Sequence, residues 1–310
     1  MPVSLTLNTY LNLKIVKHMS HDSAQSKHKV EAYCSKQRSW HALHTGAWKR
    51  KVSHHEAEEI VKYLTGHKIS ENVYQSLRYV TKVGVLTRAT WYDLFGSGSL
   101  RWKQKQLRQL LALDVFRLHP CAHVQDVMVI GEFGKRLIQE KKWVHAPSIA
   151  AQFIEHDETV ARGLWRLEKA GICDKWITDK ELKTMDSKLF RLEIKGAGDK
   201  FPDAVFRLSG TEDRKLVALE YEKTAKNNWR YNKAMLAYSD STTFNHILYI
   251  VESGGIETAV RRAIRFIGDS RLQARTGFIH ASDWIRDPVT APIRGNLGFT
   301  HLGGIMQKVA

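Results

Sequence analysis

The stretch FPDAVFRLSGTEDRKLVALEYEKT, residues 201–224, constrains this chain more than any other. Pro202-Asp203 opens it, a polar turn follows, and an apolar run then ends in Glu220-Tyr221-Glu222-Lys223, the pattern of a β-hairpin. Side chains alternate along a strand, so Glu220 and Glu222 project from one face. Asp203 on the neighbouring strand can approach that face, making a site of two or three carboxylates. Such a cluster repels itself unless a cation or a proton sits within it. Hard oxygen ligands in this arrangement suit Mg²⁺ or Mn²⁺. Lys223, Lys226 and Lys233 follow closely and are candidate cations for a bound phosphate, while Glu181, on a helix before the sheet, is a candidate supporting acid.

Charge is distributed unevenly around this stretch. Residues 1–142 hold 23 Lys and Arg against 11 Asp and Glu, and the rest of the 310 residues hold 25 against 21. A basic front half joined to a nearly balanced half with clustered acids suggests a grip on a polyanion next to a metal site. Cys34, Cys121 and Cys173 are widely spaced and form no CxxC pair, which fits a reducing cytoplasm. Asn8, Asn12 and Lys14 interrupt the apolar residues near the start, so the sequence predicts neither a signal peptide nor membrane insertion. Cys34, His41, His44 and His54 are too irregularly spaced to argue for zinc.

Residues 1–52 read as an N-terminal extension in which Trp40 and Trp48 are interleaved with Arg38, Lys49, Arg50 and Lys51. Ser53 to Glu56 has capping-box spacing and predicts a helix to about Leu64. Further helices are expected over 71–83, ended by Gly84, and over 88–95. The loop Gly96-Ser97-Gly98-Ser99 then leads into a basic helix over 100–111. Two short strands follow, around Val115 to Leu118 and Asp126 to Ile130. That order is the order of a winged helix-turn-helix, with Arg101, Lys103, Lys105 and Arg108 as candidate DNA contacts. A solvated basic face on a bundle helix is the alternative.

A helix is predicted over 131–142 and a longer one within 147–170, where His156 reads as a packing or hydrogen-bonding residue. From about 172 the chain alternates strands and helices. A strand over 172–177 leads to a helix capped by Thr178 and running to about Leu189, and the carboxylate hairpin follows. A helix over 225–238 with Lys226, Arg230 and Lys233 as further candidate DNA contacts, a strand over 247–251, a helix over 256–267 and a strand over 277–280 complete the region. The fold class expected is α+β: an N-terminal winged helix-turn-helix over 53–145, a connecting segment over 146–171, an α/β domain with a mixed central sheet over 172–287, and an irregular tail over 288–310.

The helix acid Glu181, Pro202-Asp203 at a strand and Glu-x-Glu on the next strand resemble the PD-(D/E)xK restriction-endonuclease-like fold. With a winged helix in front, the pairing resembles the MOBC-type relaxases of mobilisable plasmids and the related replication-relaxation family. Trp176 ahead of Glu181, Phe201-Pro202-Asp203-Ala204, Leu219-Glu220-Tyr221-Glu222-Lys223-Thr224, the helix up to Tyr238 and the strand ending at Val251 carry the likeness, over roughly residues 70–285. It implies a nuclease that nicks one strand at a transfer origin, with Asp203 and Glu220 binding the metal, Glu222 binding metal or water, Glu181 in support, and a relaxosome accessory protein or coupling protein as partners. Glu222 departs from the general motif, which has lysine there; Lys223 follows it on the opposite face. The His-hydrophobe-His triplet of tyrosine relaxases does not occur, and Tyr221 and Tyr231 are the tyrosines nearest the site. Two other functions fit the same residues: a DNA-binding replication or transcription regulator without catalysis, and an endonuclease cutting both strands.

Overall fold

Helix α1 (Glu71–Val83) begins after Ser70, carries Glu71 in its first turn and stops at Gly84, whose φ of 89° makes it a left-handed cap. Leu77, Val80 and Val83 put its apolar face into the core. A two-residue strand β1 (Leu86–Thr87) leads into α2 (Arg88–Leu94), where the Thr87 hydroxyl accepts the Thr90 amide. Ser99 caps α3 (Leu100–Ala112) in the same way, through Trp102 N. Strands β2 (Phe116–Leu118) and β3 (Val127–Ile130) pair antiparallel, and β1 adds to the other side of β3 in the order β1-β3-β2. Helix α4 (Glu132–Glu140) closes this layer.

The computed structural model describes residues 70–119, 126–143, 151–185, 188–194, 198–209 and 215–304. The helix expected over 53–64, the Trp-rich extension and Cys34, His41, His44 and His54 lie outside them. No helix among the described residues is long and apolar enough to cross a membrane.

Helix α5 (Ile154–Lys169) joins the helical layer to the sheet that follows. It leads into β4 (Cys173–Thr178) and α6 (Asp179–Thr184), then the small antiparallel ribbon of β5 (Leu192–Ile194) and β6 (Gly198–Lys200). After it come β7 (Ala204–Leu208), β8 (Leu216–Glu222), α7 (Asn228–Asp240), β9 (His246–Val251), α8 (Gly254–Ile267), α9 (Ser270–Ala274), β10 (Thr276–His280), α10 (Ala281–Arg286) and β11 (Arg294–Gly295). The main sheet has six strands in the order β11-β10-β9-β8-β7-β4. Strands β8, β9 and β10 run parallel, while β4, β7 and β11 are antiparallel to their neighbours, so the fold is α+β with a mixed sheet.

Alternation along β8 sorts the two faces. Val217, Leu219 and Tyr221 enter the core shared with α1, α5 and α10, and Ala218 enters the core shared with α7 and α8. Three features depart from the sequence reading. The helix beginning at Asp179 ends at Thr184 rather than near Leu189. Strand β1 and helices α9 and α10 are additional elements. Residues 288–304, expected only as an irregular tail, are packed: Ala291, Ile293, Leu297 and Leu302 are buried, and β11 extends the sheet.

Helix α10 meets α5 where a side chain is missing. Trp284 is fully buried and donates Nε1–H to the Thr159 carbonyl at 2.9 Å, lying across Gly163 so closely that a Cβ there would be 2.0 Å from the indole. Gly163→Ala favours the helix by about 1 kcal/mol of propensity. The steric conflict is the larger effect, and we expect a net loss of about 1–2 kcal/mol, read as a lower urea midpoint.

A carboxylate cluster at the end of the central strands

The hairpin register aligns Ala204 with Leu219, which brings Asp203, one residue ahead of β7, beside Glu220. The Asp203 carbonyl accepts the Asp179 amide at the start of α6, and its Oδ2 accepts the Tyr221 amide at 2.8 Å. These two bonds tie Asp203 to the ends of two elements. Glu220 points to the other face of β8 from Tyr221, beneath α7, and is 1% exposed.

The cation inside the cluster is Lys200, at the end of β6. Its Nζ lies 2.5 Å from Glu220 Oε2, and the Tyr238 hydroxyl donates to Glu220 Oε1 at 2.5 Å. Both oxygens of the buried acid thereby have a partner. Burial, with repulsion from Asp203 beside it, pushes the Glu220 pKa up, while Lys200 pulls against that shift. Burial also opposes the charge on Lys200, but Glu220 and Asp203 outweigh it and hold its pKa above the usual lysine value.

Asp203 receives a second cation from the opposite face. His156, in the first turn of α5, places Nε2 3.3 Å from Asp203 Oδ2 and Nδ1 2.9 Å from Asp157 Oδ1. Asp157 in turn pairs with Lys180 at 2.6 Å, and the Lys180 ammonium also reaches the Val83 carbonyl at the end of α1. His156 thus lies between two carboxylates and beside the Tyr221 ring, with centroids 5.1 Å apart. Burial works against its charge, yet those carboxylates raise its pKa to about 10. For Asp203, burial would raise the pKa, but the His156 contact and the field of Lys200 bring it below the usual carboxylate value.

Glu222 shares a face with Glu220, as strand alternation requires, and its Oε1 pairs with Lys226 Nζ at 2.6 Å. The structure does not bring every candidate to this cluster. Glu181 completes the capping box of α6 with Thr178 and pairs with Lys82 at 3.3 Å. Lys223 pairs with Glu155 on the other face of the strand. Tyr221 donates its hydroxyl to Glu252; burial and that carboxylate raise its pKa, leaving the phenol protonated. The Tyr231 hydroxyl accepts the Lys226 amide.

On α3, Arg101, Lys105 and Arg108 are exposed. Lys103 folds back to the Tyr92 carbonyl, and Lys105 lies over the ring of Trp102, 4.7 Å from its centroid. On α7, Arg230 is exposed and Lys233 lies over Trp229, 4.0 Å from its centroid.

Lys200 and His156 are the two site residues the sequence reading did not assign to the cluster. The only local hint of Lys200 is a cation three residues before Asp203. Nothing in the sequence brings His156 to a residue 47 positions later.

The donors present are of the chemical type that a divalent cation takes. Asp203 and Glu220 offer hard carboxylate oxygens side by side, and Mg²⁺ is commonly held by one or two carboxylates, with water and substrate phosphate completing its shell. Among the described residues, no three His, Cys, Asp or Glu side chains converge as a metal-binding group. A bound ion would therefore rest on two carboxylates and would share them with Lys200.

The His156 contacts carry a pH signature. The ordinary histidine value is 6.5 and the folded value about 10, so the stabilisation is fully present below pH 6.5 and is lost as pH rises through about 10. In EDTA, wild type should lose more stability than His156→Gln across that window, measured by urea unfolding at each pH. Parallel curves would show that His156 and Asp203 do not pair in solution.

No protein-family profile matches the chain. Comparison with curated proteins likewise returns no match. Among solved structures, the chain is similar to the restriction endonuclease FokI bound to DNA, with 9% sequence identity and a TM-score of 0.29 over 84% of this chain and 53% of that one. The chain spans about half the length of that protein, and a likeness this shallow assigns neither fold nor activity.

Proposed function

We propose that this protein is a metal-dependent DNA endonuclease that nicks one strand, and that its carboxylate site belongs to a restriction-endonuclease-like domain preceded by a winged helix. The observation that carries this reading is the juxtaposition of Asp203, one residue ahead of β7, with Glu220 on the adjoining strand β8, and the Lys200 ammonium paired with Glu220. Support for the winged helix comes from the order α1, α2, α3 and the β2–β3 ribbon, with exposed cations on α3. Arg101, Lys105 and Arg108 are exposed where they could meet a phosphate backbone, Arg108 while donating to the Gln104 carbonyl and Lys105 while lying over Trp102, whereas the less exposed Lys103 would have to release the Tyr92 carbonyl first.

Asp203 and Glu220 would hold Mg²⁺ or Mn²⁺, which when bound supplies electrostatic activation of a phosphodiester and of its attacking water. The chain's own residues do the rest. Lys200 has a flexible stem and a 29% exposed side chain, so it can turn from Glu220 toward a phosphate oxygen. It thereby provides the cation that the strand lacks where Glu222 stands. His156 and the Tyr221 amide fix the Asp203 carboxylate. Lys226 holds Glu222 on the same face as Glu220. The sequence likeness to MOBC-type relaxases makes a plasmid transfer origin the DNA to try first, with a relaxosome accessory protein and a coupling protein as partners.

One observation favours a second reading, a DNA-binding regulator without catalysis. Asp203, Glu220 and Glu222 each already have a cation from the chain, so the cluster is electrostatically satisfied without a metal.

Supercoiled plasmid carrying a candidate origin, incubated with the protein and Mg²⁺ or Mn²⁺, should become open circles. Asp203→Asn and Glu220→Gln should abolish that conversion, by at least about a hundredfold, while origin binding stays within a few-fold. Linear product would replace the nickase with a double-strand cutter. Origin binding with no cleavage in either metal would establish the regulator.

A further inference from the structure

Seven tryptophans fall in the described residues, and their surroundings divide them. Trp91, Trp165, Trp176 and Trp284 are buried and Trp143 is packed against the core, whereas Trp102 and Trp229 stand exposed, each with a lysine ammonium over its ring. Trp229 is the more open of the two, at 57%, and lies in the first turn of α7.

Its place in the fold ties it to the carboxylates. Strand β8 ends at Glu222 and α7 begins at Asn228, so the helix starts at the end of the sheet where Glu220 and Glu222 lie. Lys226, three residues before Trp229, returns to Glu222 at 2.6 Å. Packing of α7 is carried by Tyr231, Met235 and Tyr238, which are buried. Trp229, Lys233 and Leu236 follow at helical spacing on another face. Trp229 therefore gives the core little, and it keeps a large apolar surface in water.

An indole 57% exposed with a lysine over it keeps open ring surface on which a flat π partner can stack. An unstacked nucleobase is such a partner, and the phosphates beside it match the positive charge of Arg230 and Lys233. Base-paired DNA can use those cations but cannot present the face of a base, because its faces are already stacked. An acidic peptide likewise uses the charges and leaves the ring idle. Charge complementarity and the open ring surface together select an unpaired nucleotide.

We propose that Trp229, flanked by Arg230 and Lys233, is a stacking subsite for one unpaired base, next to the phosphate held at the carboxylate cluster. The position of that phosphate rests on the nuclease reading; stacking on Trp229 does not require cleavage. The subsite takes a nucleotide only from a strand that is single or locally opened at the site, so it selects DNA that has been separated before the phosphate is engaged.

The test measures binding by the full chain in EDTA, using a short fluorescein-labelled single strand and the blunt duplex of the same sequence. Trp229→Ala should weaken single-strand binding about tenfold and leave duplex binding within about twofold, since base–aromatic stacking contributes on that scale. Trp229→Phe keeps a π face and should restore most of the affinity. An unchanged single-strand affinity, or an equal loss on both DNAs, overturns the subsite. Plasmid cleavage by wild type, assayed separately with Mg²⁺ or Mn²⁺, distinguishes the two ideas. A selective Trp229→Ala defect in a protein that cleaves nothing supports the subsite and removes the nuclease reading.

Discussion

Glu220 is an acid almost wholly removed from water, and the surrounding structure is arranged to make that tolerable. An ionised carboxylate transferred to the interior loses several kcal/mol of hydration unless its oxygens find partners. Lys200 and Tyr238 each take one oxygen. Those two contacts come from the β5–β6 ribbon and the far turn of α7, where Leu192 and Tyr238 are also packed in the apolar core. The electrostatic need of one side chain therefore helps position both. It also creates competition, because an ion entering between Asp203 and Glu220 would share Glu220 with the lysine ammonium.

Asp203 meets the same need from two directions. His156 approaches from the side of α5, and the field of Lys200 arrives from the opposite side of the sheet. An acid with cations on both sides stays ionised at neutral pH, as a ligand for a hard metal must. Glu220, pushed toward the protonated form by burial, is the less committed of the two. The pair is therefore asymmetric, with one carboxylate held below the usual carboxylate value and the other shifted above it by burial.

Much of this was legible from residue order. The 2-residue spacing of Glu220 and Glu222 gave their common face, and helical patterning, with Gly84 and the glycine-serine loop as punctuation, located α1, α2 and α3 within a residue or two. Those signals are local, and local signals survive without knowledge of the fold. Lys200 and His156 were not legible because their roles depend on contacts across 20 and 47 residues, which no helical or strand period encodes. Glu181 carries a related ambiguity. A glutamate three residues after a threonine serves a helix cap as well as a metal, and only the position of α6 decides between them. Residues 288–304 read as irregular because glycine and proline interrupt their apolar positions, yet Ile293, Leu297 and Leu302 are buried.

Helix α5 carries a consequence for scale. Its Glu158 accepts the Thr87 amide at 2.6 Å, Arg162 and Arg166 both hold Asp93 of α2, and its first turn supplies His156 to Asp203. The apolar core runs without a break from Leu77 in α1 to Leu302. The basic helix and the carboxylates are thus mounted on one rigid strut rather than joined by a tether. Under the nuclease reading the molecule acts as a ruler: the offset between the DNA that α3 grips and the phosphate that is cut is set by protein geometry, and cleavage falls at one register instead of spreading along the strand.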